Sequence, residues 1–150
     1  MKAQQLTIEF TGTTCLINGE VAQDFKEPGD SHYGEYGPKY HDADRTVFVK
    51  RSKNIAFNHH REDEADVWEG ASAAVRKHLA PVLASGKDSE GRSWVAMKYM
   101  HGTLGYFLED KEACWSQIER VFGHNLSDTH SSNWILLDDG ETVVVVDYGR

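Results

Sequence analysis

Cysteine and proline are scarce, with two cysteines and three prolines in 150 residues. Cys15 and Cys114 are too few for a disulfide scaffold and form no metal-ligand spacing. No purely apolar run exceeds the four residues Val143–Val146, far short of the about 20 that cross a bilayer. Met1-Lys2-Ala3-Gln4-Gln5 lacks the apolar stretch of a signal peptide, so a cytoplasmic location with no membrane partner is the expectation. Basic excess is missing too. Sixteen Lys and Arg stand against 24 Asp and Glu, giving a net charge of −8 and a pI near 5.4. Binding along nucleic-acid phosphates needs a basic face that releases counterions, so no nucleic-acid partner is expected. Repeats, low-complexity tracts and linkers are also absent. These exclusions leave an acidic, ordered chain of about one domain.

The apolar pattern supplies the elements. Leu6, Ile8 and Phe10 alternate, Gly12 interrupts, and Cys15-Leu16-Ile17 resumes. Asn18-Gly19 is a preferred type I′ turn pair, leading into Val21, Gln23 and Phe25. Residues 26–44, with Pro28, Gly29, Gly34, Gly37 and Pro38, read as irregular, and Pro38 suits only an edge strand or a loop. Thr46–Val49 reads as a short buried strand ending at Lys50. Ala65, Trp68, Ala71, Val75 and Leu79 make one helical stripe stopped by Pro81, with acidic residues at its start and Arg76-Lys77 near its end. A hairpin follows over Val82–Ala84 and Ser93–Met100. A second helix is predicted over about Leu108–Phe122, with Trp115, Ile118 and Phe122 on one face. The last hairpin pairs Trp134–Leu137 with Thr142–Val146 around Asp138-Asp139-Gly140. The class is α+β.

Chemistry concentrates near the C-terminal end. Asp128 precedes Asn133 by five residues, and a hairpin then leads to Asp147-Tyr148-Gly149. Asp128 could orient a hydroxyl proton, while Asn133 and Asp147 offer the oxygen ligands that Mg²⁺ takes alongside phosphate oxygens. A plain hairpin ending in turn residues would look the same. His41-Asp42 and His59-His60 suggest a metal phosphohydrolase of the HD type, but residues 26–44 lack the helical pattern it needs.

Landmarks further upstream occur in a telling order. Gly29-Asp30-Ser31-His32-Tyr33-Gly34 is a glycine-rich loop with Ser31 at its middle glycine position. Val47-Phe48-Val49-Lys50 follows, with Lys50 sixteen residues after Gly34 and Glu69 nineteen after Lys50. Trp94–Gly102 then has the pattern of a hinge strand. Over residues 20–149 the chain resembles the protein-kinase-like phosphotransferase superfamily, and Asp128-Thr129-His130 resembles the catalytic loop of its aminoglycoside-phosphotransferase-like members. The resemblance implies a small antiparallel-sheet lobe with one supporting helix over about 1–100. It also implies a reduced large lobe, about one helix and the metal-binding hairpin, over about 101–150.

The same resemblance implies ATP and Mg²⁺ as cofactors. Asp128, Lys50 and Glu69 would be catalytic, with Glu64 or Glu62 as alternatives for the glutamate that holds Lys50. Gly29, Ser31, Gly34, Lys50, Met97 and Met100 would contact nucleotide, and Asn133 and Asp147 the metal. Asp128 lies only 28 positions after Met100, and the chain ends at Arg150, so neither an activation segment nor an acceptor platform is expected. Three outcomes follow from that reduction. The chain phosphorylates a protein hydroxyl or itself; or it is an inactive, pseudokinase-type module that binds nucleotide or a protein partner; or it forms a homo-oligomer in which a neighbour replaces the missing lobe.

Overall fold

A computed structural model describes residues 5–25, 38–52, 64–123, 131–146 and 148. The protein is a mixed α+β structure of antiparallel sheets with few helices. It divides into two compact units, residues 1–60 with 82–99, and residues 61–81 with 100–150. Residues 61–81, which the sequence expectation counted among the first hundred, therefore group with the later part of the chain.

The first unit opens with a three-stranded sheet of β1 (Ile8–Thr11), β2 (Thr14–Ile17) and β3 (Glu20–Val21). Asn18 and Gly19 both take positive φ, 51° and 82°. That is the type I′ geometry whose twist matches the flanking strands, and glycine adopts it without the Cβ penalty. Asn18 Oδ1 also accepts the Thr7 N–H at 2.9 Å, which closes the hairpin on its outer side.

A five-stranded antiparallel sheet follows, in the order β4 (Gln23–Asp24), β5 (Lys39–His41), β6 (Val47–Arg51), β8 (Ser93–Lys98) and β7 (Val82–Lys87). Strand β5 corrects the expectation that residues 26–44 are irregular. It is three residues long, too short to display a period, and burial of Tyr40 against the core decides it. The chain then turns on Asp42. Its carboxylate accepts the Thr46 N–H at 2.6 Å, the Val47 N–H at 3.0 Å and the Thr46 hydroxyl. Burial pushes the Asp42 carboxyl up, but these hydrogen bonds outweigh it and hold the group below its ordinary range. Cys15, Ile17, Tyr40, Val47, Val49 and Ala96 form the core of this unit, with Phe10 and Trp94 packed against it. Burial pushes the Cys15 thiol up to about 11, while Arg51 opposes the shift weakly, so the thiol stays protonated and unreactive at neutral pH.

Strand β6 runs one residue beyond its expected end, and that residue, Arg51, is buried at 3% exposure. Its guanidinium donates to Asp88 Oδ2 at 2.6 Å, to the Gly12 carbonyl at 2.7 Å and to Glu90 Oε2 at 3.1 Å. It also lies 4.5 Å from the Phe10 ring centroid, a cation–π contact that desolvation strengthens. Asp88 Oδ1 in turn accepts the N–H groups of Glu90 and Arg92, both at 2.9 Å. One guanidinium thus ties the β1–β2 turn to the β7–β8 turn.

The second unit contains α1 (Glu64–Gly70), α2 (Ala73–Arg76), β9 (Gly102–Leu104), α3 (Glu112–Phe122), β10 (Trp134–Leu137) and β11 (Val143–Val145). Its sheet order is β11-β10-β9. The single helix expected over residues 65–79 is broken in two. Ser72, extended at ψ 163°, caps α2 by accepting the Val75 N–H at 3.3 Å. Arg76 reaches back to cap α1, donating from Nε to the Trp68 carbonyl at 2.9 Å while stacking on the Trp68 ring. Leu79 leaves the helix altogether. The segment 78–80 runs beside β11, with Val145 N–H donating to His78 O at 2.8 Å and Ala80 N–H to Val145 O at 3.0 Å. Helix α3 starts at Glu112 rather than near Leu108, because residues 105–107 form a 3-10 turn and Asp110 accepts the Glu112 N–H. Its buried face is Cys114, Ile118 and Phe122. Among the described residues no helix is long and apolar enough to cross a membrane.

Removing Arg51 should cost heavily, because it leaves the Asp88 carboxylate buried and uncompensated. Arg51→Met is expected to lower stability by about 3–5 kcal/mol in urea unfolding; a loss below about 1 kcal/mol would mean that the ion pair is merely superficial. Burial pushes Asp88 up, yet its N–H donors and Arg51 outweigh that and hold its pKa down. Its contribution is therefore complete above the ordinary carboxylate value, about 3.9, and is lost as the pH falls through the lowered folded value. Asp88→Asn should flatten this acid limb of the stability–pH curve, and an unchanged limb would assign it to other carboxylates.

Candidate functional site

Alternation along β6 decides where its lysine goes. Val47, Val49 and Arg51 turn toward the core, so Phe48 and Lys50 leave from the opposite sheet face. Lys50 is half-buried and lies across from Val95 on one side and Lys39 on the other. Four rings share the Phe48 end of this face. Phe25 and Phe48 meet edge-on at 5.0 Å, and His41 and Tyr99 at 5.8 Å. Met97 pairs with Phe48 and is 1% exposed, which makes its side chain core, whereas Met100, in the second unit, is half-buried. The loop residues Gly29, Ser31 and Gly34 lie outside the described residues.

In the second unit the hairpin register carries the site. Trp134 pairs with Val145, which sets Asn133 against Val146, and the Val146 N–H donates to Asn133 O at 2.8 Å. Asn133 is buried at 4% exposure. It therefore stands opposite the residue that precedes Asp147, although Asp147 itself lies outside the described residues, as do Asp128 and His130. Among the described residues no three His, Cys, Asp or Glu side chains converge. An amide oxygen such as that of Asn133 is a hard donor of the kind Mg²⁺ accepts.

Tyr148 is fixed more firmly than its neighbours in sequence suggest. It is 3% exposed, and its hydroxyl donates to the Ala80 carbonyl at 2.7 Å. Burial pushes this hydroxyl's pKa well up, the carboxylate of Glu64 adds to the shift, and Arg76 opposes it. Glu64 is thus electrostatically coupled to Tyr148. It is also the buried glutamate of α1, whereas Glu69 is exposed and offers its backbone carbonyl to Arg76 Nη2 at 3.3 Å. Both glutamates lie on α1, Glu64 buried at its start and Glu69 exposed near its end.

Tight packing pins the start of the hairpin. Trp134 is fully buried and meets Trp115 edge-on at 5.4 Å, and its indole N–H has no hydrogen-bond partner among the described residues. Gly105 lies so close that a Cβ there would be 2.7 Å from both the Trp134 ring and the Ser131 carbonyl. In comparisons of sequence, the chain matches no family model and no curated protein.

Two substitutions probe this scaffold. Gly105→Ala should destabilise by about 1–3 kcal/mol through overpacking. Tyr148→Phe should cost about 1–3 kcal/mol by orphaning a buried carbonyl. Urea unfolding followed by Trp fluorescence reads both, and changes under about 0.5 kcal/mol would mean that these contacts relax freely.

Proposed function

We propose that this chain is an ATP- and Mg²⁺-dependent phosphotransferase of minimal, protein-kinase-like architecture, acting on a protein hydroxyl or on itself. The observation that carries the reading is the β10–β11 register, which sets buried Asn133 against Val146, the residue before Asp147. Asn133 offers an amide oxygen of the kind Mg²⁺ accepts alongside phosphate oxygens, and Asp147 follows Val146 in sequence. Lys50 supports it from the first unit, as a half-buried cation on a sheet face away from that unit's core.

The roles follow from the chemistry of each group. Mg²⁺, when bound, neutralises charge on the phosphate chain. Asn133 and Asp147 would hold it, and Lys50 would bind phosphate as a point charge. Asp128 accepts the proton of the acceptor hydroxyl as its oxygen bonds to the terminal phosphorus. The bond from that phosphorus to the bridging oxygen breaks, and ADP leaves with the electron pair. A protein hydroxyl fits better than a small molecule, since the short stretch from Met100 to Asp128 leaves little chain to enclose one.

Thermal unfolding with ATP, with and without Mg²⁺, tests the site, because a ligand of the folded state must raise the midpoint. The expected result is a Mg²⁺-dependent rise that Asp147→Ala abolishes. Asp128→Asn should keep the rise while stopping transfer of labelled phosphate. Absence of any rise at saturating nucleotide would overturn the reading and favour a module that works by binding a protein partner.

A further inference from the structure

Strand β1 has one free edge, and backbone bonding fixes which of its residues face it. Asn18 N–H donates to Thr7 O at 2.8 Å, and Ala22 N–H donates to Cys15 O at 2.8 Å. Cys15, the cross-strand partner of Phe10, therefore bonds toward β3 and not toward β1. Alternate residues of an antiparallel strand bond to opposite sides, so Glu9 and Thr11 bond to β2 while Ile8 and Phe10 turn their N–H and C=O groups outward. Among the described residues nothing pairs with that edge. A cleft of about 390 Å³ lies against it, lined by all four residues of β1 together with Trp94 and residues 87–89. That volume falls within the range of about 300–1,000 Å³ that binding clefts occupy.

A row of unpaired N–H and C=O groups is a template for a further strand, and side chains set which strand fits. Ile8 and Phe10 pack on the core of this unit, and the Phe10 ring lies 6.3 Å from that of Trp94. Residues of an added strand opposite Ile8 and Phe10 would share this apolar face. Glu9, exposed between them, leaves from the other face. Opposite charges across a strand pair stabilise it and like charges destabilise it, so the residue opposite Glu9 should be basic. The net charge of −8 draws a basic segment as well. Lys87 does not oppose this: Gly86 is the partner of Trp94, so the Lys87 side chain leaves from the sheet face opposite the indole. A second copy fits less well, because the register that joins Ile8 of one copy to Phe10 of another sets Glu9 against Glu9.

We propose that the free edge of β1 docks an extended segment of a partner protein by antiparallel pairing, with a basic residue opposite Glu9 between two apolar ones. The proposal is independent of the phosphotransferase reading. Amide-resolved NMR with hydrogen exchange on the full chain tests it, using the capped peptide Thr-Val-Lys-Val-Thr as probe. The peptide should shift the Ile8 and Phe10 amides and slow their exchange, while exchange at Glu9, already bonded to β2, stays as it was. A glutamate in place of the peptide's lysine should weaken binding by about threefold or more, and N-methylation of both valines by about tenfold or more. Glu9→Lys should bind the glutamate-centred peptide better than the lysine-centred one, and Glu9→Gln, the second variant, should lose the preference. No effect at Ile8 and Phe10 up to the peptide's solubility limit, or undiminished binding of the N-methylated peptide, would overturn the docking site. A wild-type preference for the glutamate-centred peptide would assign recognition to Lys87 and overturn the basic partner, as would an unchanged preference in Glu9→Lys. Dimerisation in sedimentation that protects the same two amides would give the edge to a second copy and overturn the proposal.

Discussion

The first unit depends on one buried guanidinium. Arg51 meets the carbonyl of Gly12, the carboxylates of Asp88 and Glu90, and the face of Phe10. A planar fork with five donors can satisfy several acceptors at once, which a lysine in the same place could not. Desolvating that charge is expensive, so the surrounding acceptors must be in place together. Because they come from the β1–β2 turn and the β7–β8 turn, the hairpins are registered against the sheet by electrostatics as well as by the apolar core. The alternation that buries Arg51 also sends Lys50 to the opposite face. Stability and candidate chemistry are two sides of one strand.

The second unit is organised around β11. Val143, Val144 and Val145 are all buried, with β10 on one side and the segment 78–80 on the other. Tyr148 extends this arrangement by reaching Ala80 through its hydroxyl. The chain on either side of Asp147 is therefore held by backbone bonding at Val146 and by a buried side chain at Tyr148. Rigid support of this kind is what a metal or phosphate site needs, since small displacements weaken both binding and chemistry. Gly105 and Trp134 contribute in the same way, through close packing at the hairpin's start.

Much of the local structure was legible from residues alone. Asn18-Gly19 announced its hairpin through the positive φ that both positions adopt. The hairpin from Trp134 to Val145 was legible because alternating and continuous apolar runs flanked a turn rich in Asp and Gly. Errors arose where a short segment was settled by distant partners. Strand β5 is three residues long and owes its existence to its neighbours in the sheet. The break between α1 and α2 kept the three- and four-residue spacing of apolar positions, so periodicity could not reveal it. Strand β9 is hidden for the same reason of length.

The sequence by itself determined the α+β class, the Asn18-Gly19 turn, the hairpin from Trp134 to Val145 and the chemical character of each residue. Those properties are local, fixed by backbone sterics, side-chain periodicity and the chemistry of each group. Only the tertiary structure decided that Arg51 is buried, that Glu64 rather than Glu69 is the desolvated carboxylate of α1, and that Lys39 stands beside Lys50. Burial and strand register are set by contacts between residues far apart in the chain, and no local pattern encodes which of two nearby glutamates or lysines those contacts will enclose.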